Sequence, residues 1–294
     1  MSDKILVLSP LSAAATDHLN HNYDTLFLYD SDDPKKLIAD HKESIRVLIA
    51  GQKSKVSSNF INQLSALELI CVPLPSLGNI KIDDQMAKTR NINIVPIGRM
   101  PAADYVELTL GLTLALARRL VEINMMFRTG HWRPSSKRAG LRLSGKKAAI
   151  FGDEAIRTNL ADILKSMNLE ILDKKEFTSF EAVAAEVDFF ILLPGLKQHQ
   201  DTSIDQSVFK ELGKNGAFVC TGSFDCVNEE DLLIALSNKS IMGAALDVYS
   251  NVEETPDALL SMDHVVMTPS VAGMTLEAFE DMGHSVIDVV DQFF

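Results

Sequence analysis

The stretch Leu143-Ser144-Gly145-Lys146-Lys147-Ala148-Ala149-Ile150-Phe151-Gly152-Asp153-Glu154-Ala155-Ile156-Arg157, continued to Leu169-Glu170-Ile171-Leu172-Asp173, decides how this chain is read. A basic lead-in runs into the apolar residues Ala148 to Phe151, a turn at Gly152 opens an amphipathic segment through Met167, and a second short apolar run follows. Strand, turn, helix and strand within about 30 residues is the βαβ layout whose first turn holds a dinucleotide pyrophosphate at a helix N-terminus. A G-x-G-x-x-G fingerprint laid over residues 152 to 157 keeps only Gly152; Glu154 stands at the second glycine and Arg157 at the third. The second glycine lets the backbone approach the pyrophosphate and the third lets helix and strand pack closely. The layout is therefore kept while its ligand chemistry is altered.

Working outward toward the N-terminus, strands at Lys4 to Leu8, Thr25 to Tyr29, Arg46 to Ala50, Leu69 to Val72 and Ile92 to Val95 alternate with helices. The helices are expected from about Ser12, after Pro34 and across Ser57 to Leu67. Pro96 to Pro101 breaks regular structure and marks a domain boundary. One long helix is expected over residues 102 to 128, with Asp104 and Glu107 in its first turns and Gly130 closing it. Its middle is apolar nearly all round, as for a helix buried on more than one side at a domain or subunit interface, where Met125 and Met126 read as packing. Toward the C-terminus, strands at 189 to 193, 217 to 220, 242 to 247 and 265 to 268 complete a second series. A last helix, Leu276 to Phe294, is free to return to the first domain. The fold class is α/β: two doubly wound parallel-sheet, Rossmann-like domains. The expected division is a discontinuous first domain of residues 1–98 plus 275–294, and a second of residues 99–274 that carries the dinucleotide-binding layout.

Composition narrows the classes of function. With 28 Lys and Arg against 40 Asp and Glu, the formal net charge of −12 speaks against nucleic acid and anionic membrane as partners. Three cysteines, Cys71, Cys220 and Cys226, lack the paired spacing of a zinc site or a disulfide framework and point to a reducing, cytoplasmic setting. The apolar run Leu108 to Ala117 falls short of the ~20 residues of a membrane span.

Several separated blocks follow one another along the chain: Val106-Glu107 with Leu116-Ala117-Arg118-Arg119, then Arg128-Thr129-Gly130-His131-Trp132, Leu143-Ser144-Gly145-Lys146, Gly243-Ala244-Ala245-Leu246-Asp247-Val248 and Thr268-Pro269-Ser270-Val271-Ala272-Gly273. In this order they resemble the D-isomer-specific 2-hydroxyacid dehydrogenase family. Ser76, Leu77, Gly78 and Asn79, followed by Asp83, look like its substrate loop. The resemblance implies that residues 1–98 plus 275–294 form a flavodoxin-like substrate domain and residues 99–274 a nucleotide-binding domain, with a cleft between them, a small-molecule ligand in that cleft, and a homodimer paired through the cofactor domains.

The catalytic positions that the resemblance implies are substituted. The family's catalytic histidine is third in a Thr-Pro-His motif, where this chain has Ser270. A hydroxyl cannot shuttle protons near neutral pH as imidazole does, and losing a positioned general acid costs ~10²- to 10⁴-fold. Ser223 stands where an Asn-Thr-x-Arg-Gly motif places the arginine that grips the substrate carboxylate. The glutamate that orients the histidine aligns with Val252 by direct count, or with Glu253 after a one-residue slip. For the cofactor the implied positions are Gly152, Glu154, Ile156, Asp173, Thr221 and Asp247. Asp173 matches the acidic residue that bonds the ribose about 20 residues after the first glycine, although an exposed strand-end aspartate explains it equally well. Asp153 and Glu154 place two carboxylates beside the pyrophosphate position, and the short passage from Lys174 to Val187 trims the adenosine side.

Other chemistry is weaker. Cys220 and Cys226 have no histidine close in sequence and read as buried small hydrophobes. His131 reads as packing or capping, His199, His264 and His284 lack metal-ligand spacing, Lys174-Lys175 and Glu253-Glu254 read as solvated loops, and no metal is expected. The expectation is a family member that has lost hydride transfer and binds a small molecule or a protein, a pseudoenzyme. The alternative is an active NAD(P)H-dependent 2-oxoacid or 2-hydroxyacid oxidoreductase with a rebuilt site, which would take NAD(H) or NADP(H).

Overall fold

A computed structural model describes residues 3–51, 54–73, 81–98, 102–131, 139–172, 178–196, 203–249, 255 and 257–294. Ser76, Leu77, Gly78, Asn79, Trp132, Asp173, Lys174, Lys175, His199, Glu253 and Glu254 lie outside the described residues. The chain divides into two compact units, one of Met1–Pro101 with Gly273–Phe294 and one of Ala102–Ala272. Two parallel-sheet α/β units are what the alternation of short apolar runs and amphipathic segments specifies.

In the first unit the elements are β1 (Lys4–Val7), α1 (Ala13–Asn22), β2 (Asp24–Phe27), α2 (Pro34–His41), β3 (Ile45–Ile49), β4 (Lys55–Val56), α3 (Ser58–Gln63), β5 (Leu69–Pro73), β6 (Lys81–Ile82), α4 (Asp84–Thr89) and β7 (Asn93–Ile97). The main sheet is wholly parallel in the order β2-β1-β3-β5-β7, and β4 and β6 form a small separate parallel ladder. Ile5, Val7, Val47 and Ile49 point to one face of this sheet, and Leu6, Leu48, Ile70 and Val72 to the other. Both faces are buried, as a parallel sheet requires. Helix α3 is shorter than the sequence suggests, because Leu64 leaves helical geometry at φ −94, ψ 83.

The second unit contains α5 (Ala102–Ala117), α6 (Leu120–Arg128), β8 (Lys147–Phe151), α7 (Glu154–Ser166), β9 (Glu170–Leu172), α8 (Phe180–Ala184), β10 (Phe189–Leu192), α9 (Gln206–Leu212), β11 (Ala217–Cys220), α10 (Glu229–Ser237), β12 (Gly243–Leu246), α11 (Asp257–Leu260) and β13 (Val265–Met267). Its parallel sheet runs β13-β12-β11-β10-β8-β9. On one face Phe151, Phe180, Phe190, Phe209 and Phe218 stack in edge-on and tilted contacts 4.6 to 6.1 Å apart. On the other, Ile150, Ile191 and Val219 pack beneath α5 and α7.

The single helix expected over residues 102 to 128 is instead two. Arg119 adopts the left-handed region (φ 54, ψ 37) and separates α5 from α6, held there by ion pairing with the buried carboxylate of Glu122 at 2.5 Å. Met126 is half-buried, and Met125 is 62% exposed, alongside Leu120 at 54%, Val121 at 50% and Phe127 at 70%.

The chain then returns to the first unit in α12 (Leu276–Phe293), which packs against α1, β5 and β7 through Val286 and Val290. Gly283 makes this approach possible, since a Cβ there would lie 2.0 Å from the Ser12 hydroxyl. Among the described residues no helix is long and apolar enough to cross a membrane.

Candidate functional site

In an open α/β sheet, ligands bind beyond the carboxyl ends of the strands at the point where strand order reverses. In the second unit that point lies between β8 and β10, and the residues following those strands define the candidate site. Gly152 leaves β8 at φ 128, a conformation L side chains rarely adopt. A Cβ at Gly152 would fall 2.6 Å from the Pro194 carbonyl oxygen, so the turn after β10 lies directly against it. The Asp153 amide donates to that same carbonyl at 2.7 Å, and Gly195 packs over Asp153.

Asp153 is the N-cap of α7. Its Oδ1 accepts the amides of Ala155 at 2.9 Å and Ile156 at 3.2 Å, satisfying donors that a helix start leaves without intrahelical partners. A carboxylate there also meets the positive end of the helix dipole. The residue that the sequence offers only as an unfavourable charge is therefore a structural cap. An aspartate directly before an amphipathic run is the signal that shows it. Glu154 begins the helix exposed to solvent. Ile156 is wholly buried among Leu160 and Leu164, which leaves only its main chain toward the site.

Ser223 follows β11 in the left-handed region at φ 54. Its hydroxyl donates to the Leu193 carbonyl at 3.0 Å and accepts the Leu196 amide at 3.0 Å, so it ties the turn after β10 to the end of β11. Gly222 is pressed onto the same turn, because a Cβ there would lie 2.3 Å from the Pro194 nitrogen. Thr221 is buried: Thr109 donates to the Tyr105 carbonyl at 2.6 Å, so the 2.9 Å contact between the two threonine hydroxyls has Thr221 as donor. Cys220 and Cys226 are free and buried, and burial raises both thiols above their ordinary range, which removes thiolate chemistry near neutral pH.

Asp247, after β12, is buried and organises the loop that carries Ser270. Its carboxylate accepts the Thr268 hydroxyl at 2.6 Å and the amides of Val271 at 2.8 Å and Ala272 at 3.0 Å, while its carbonyl accepts the Ser270 amide at 2.7 Å. Burial raises the Asp247 carboxyl above the usual range, against the opposing pull of those three donors. Tyr249 donates to the Thr268 carbonyl at 2.7 Å and buttresses the same loop. Burial, with Asp247 nearby, pushes the Tyr105 phenol up to about 12. Ser270 itself is half-buried and left-handed at φ 57.

Structure thus brings Gly152, Thr221, Ser223, Asp247 and Ser270 to the carboxyl ends of β8, β11, β12 and β13 in one unit. His131 meets the Thr129 hydroxyl at 2.9 Å and His264 the Leu236 carbonyl at 3.1 Å. A separate cavity of about 150 Å³ is lined by residues including Arg119, Glu122, Asn215, Met242 and His264. Asn215, Met242 and His264 precede β11, β12 and β13, so this cavity lies at the opposite, amino-terminal ends of the strands. Among the described residues no cluster of His, Cys, Asp and Glu is arranged to hold a metal.

Comparison with known proteins places this geometry. Residues 110–272 match the model of the D-isomer specific 2-hydroxyacid dehydrogenase NAD binding domain. The chain is 26% identical over 300 residues to the glyoxylate/hydroxypyruvate reductase A of Arabidopsis thaliana, covering 99% of this chain and 95% of that one. It is 29% identical over 306 residues to the 2-ketogluconate reductase of Gluconobacter oxydans, covering 100% and 97%. Its fold superimposes on that of a 2-hydroxyacid dehydrogenase from Ketogulonicigenium vulgare with a TM-score of 0.81 at 22% identity, over 100% of this chain and 96% of that one. With a family model that spans more than half of its length, the chain belongs to the D-isomer-specific 2-hydroxyacid dehydrogenase family.

Proposed function

We propose that this family member does not carry out hydride transfer and serves instead as a binding protein for a small molecule or a protein partner. The observation that carries this reading is the state of the two substituted catalytic positions. Ser223 supplies no cation, and its hydroxyl donates to Leu193 and accepts from Leu196. Ser270 supplies no group that exchanges protons near neutral pH. A nicotinamide dinucleotide, which the family implies, also fits the β8 turn poorly, because the α7 amides that would receive its pyrophosphate already bond to Asp153.

A second reading is an active NAD(P)H-dependent 2-oxoacid or 2-hydroxyacid oxidoreductase with a rebuilt site. The relatives favour it, since the Arabidopsis and Gluconobacter proteins are both reductases by name. The side chains at the family's catalytic positions favour the first. The deciding experiment follows NADH and NADPH oxidation by the purified protein across a panel of 2-oxoacids. No turnover above the uncatalysed rate is expected; cofactor-dependent reduction of any one of them establishes the oxidoreductase.

The same proposal includes a homodimer paired through the nucleotide-binding unit and a cytoplasmic setting. Leu120, Val121, Met125 and Phe127 along α6 expose apolar surface that a second subunit would cover, and the three cysteines are all free. Light scattering of the purified protein should give twice the 32.3 kDa chain mass.

A further inference from the structure

We infer that Asp153 acts as a tethered anion: its carboxylate fills the pyrophosphate position at the start of α7, so that one side chain, and not the loss of the fold, excludes phosphate-bearing ligands from this unit. The inference deepens the reading of the site as one without bound dinucleotide and rests on it. Three observations support the geometry. The two amides taken by Asp153 Oδ1, those of Ala155 and Ile156, are donors that a phosphate at a helix start would require. The carboxylate is not a mobile surface group, because the Asp153 amide is fixed to Pro194 and Gly195 lies so close over it that a Cβ built there would fall 3.1 Å from the Asp153 Cβ. The Pro194–Gly195 turn is itself held by Ser223 and by Gly222, so the closure is built from the ends of β8, β10 and β11 together. Glu154, exposed one residue on, adds a second negative charge at the approach. A phosphate would have to displace a pre-positioned charge of its own sign from the donors it needs.

The chain otherwise retains the scaffold of an anion site: the glycine at φ 128, the strand-to-helix turn, and a 13-residue helix directed at it. Removing the carboxylate should therefore restore phosphate binding without any new residue. Asp153→Ser keeps a neutral cap and protects folding, whereas Asp153→Gly frees both amides.

The test titrates ADP-ribose and inorganic pyrophosphate into the wild-type protein and both variants by calorimetry, with circular dichroism confirming that each is folded. Wild type is expected to give no saturable heat at millimolar ligand. Asp153→Ser should gain at least tenfold in affinity for ADP-ribose, and Asp153→Gly should gain more. A folded Asp153→Ser protein that binds no tighter than wild type overturns the inference. Micromolar binding of ADP-ribose by wild type also overturns it, yet leaves the absence of hydride transfer standing unless NADH is consumed as well.

Discussion

The two units solve the same problem differently. Each begins with strands in the order second-first-third, β2-β1-β3 in one and β9-β8-β10 in the other, so each has a reversal point where a ligand crevice would form. In the first unit a Cβ at Gly51 would meet Ser9 within 1.8 Å, and the helix α1 is capped by the buried, neutral Ser12 through a long 3.4 Å bond. Gly283 of α12 then seats directly on that hydroxyl. The second unit also packs a helix, α5, against α7, but the start of α7 itself is closed by the Asp153 carboxylate and the Pro194–Gly195 turn. Closure by packing is distributed over many contacts, whereas closure by a single charge depends on one residue. Two copies of one topology can therefore differ widely in how easily a ligand site is regained.

Changes at the close-packed glycines should separate the two most strongly. Gly222→Ala places a Cβ against the Pro194 backbone, which cannot rotate away, and is expected to cost about 3 kcal/mol. Gly283→Ala meets chiefly the Ser12 hydroxyl, which can turn aside, and should cost about 1 kcal/mol. Urea unfolding read by hydrogen exchange in each unit measures both; equal costs would remove the distinction between rigid and yielding closure.

The polar character of the second unit's closure is sharpened by Asp247→Asn. The amide can accept from Thr268 and Val271 but turns an N–H toward the Ala272 amide, leaving a buried donor without an acceptor at a cost of about 2 kcal/mol. Because the folded Asp247 carboxyl sits above its ordinary value, its ionisation opposes folding: the wild-type group favours the folded state below an unfolded value of about 4, and that advantage is lost as pH rises through the folded value. Stability of the variant should accordingly vary less with pH on the acid side, checked by thermal melts from pH 4 to 7.

The smallest effect is expected in the first unit at Asp291, which accepts from His18 at 2.8 Å and Tyr23 at 2.7 Å and so fastens α12 to α1. Those hydrogen bonds hold its carboxyl below the usual range, so its contribution is present above about pH 4 and lost as pH falls through the folded value. The group is 42% exposed and screened by solvent, which limits Asp291→Asn to about 0.5 kcal/mol at neutral pH. A larger loss would mean that polar latching, and not packing, holds α12 in place.

Much of the fold was legible because short apolar runs such as Ala217 to Cys220 and Phe189 to Leu192 are buried on both faces and leave an unambiguous local pattern. The break between α5 and α6 was not, since nothing in Arg118-Arg119 announces a left-handed residue; the Glu122 pairing that holds it is visible only in three dimensions. The site divides in the same manner. Substitution of the family's histidine and arginine by Ser270 and Ser223 can be read directly from motif spacing. What those positions do instead depends on partners far along the chain: Ser223 meets residues 27 and 30 positions away, and Asp247 those 21 to 25 away. Local pattern carries no information about such pairings. The capping role of Asp153 is the exception, being a local interaction with residues two and three positions on.

The return of α12 to the first unit also fixes an order of events on the ribosome. Residues 1–101 emerge before the second unit, yet the face of β1, β3 and α1 that receives Val286 and Val290 stays open until α12 has left the exit tunnel. The whole of the intervening unit, by contrast, has been synthesised by then and can fold as it appears. The domain begun first is thus the one completed last, and a nascent chain interrupted before Thr275 would display apolar surface at Ala15 and Leu19 to whatever chaperones wait at the tunnel mouth.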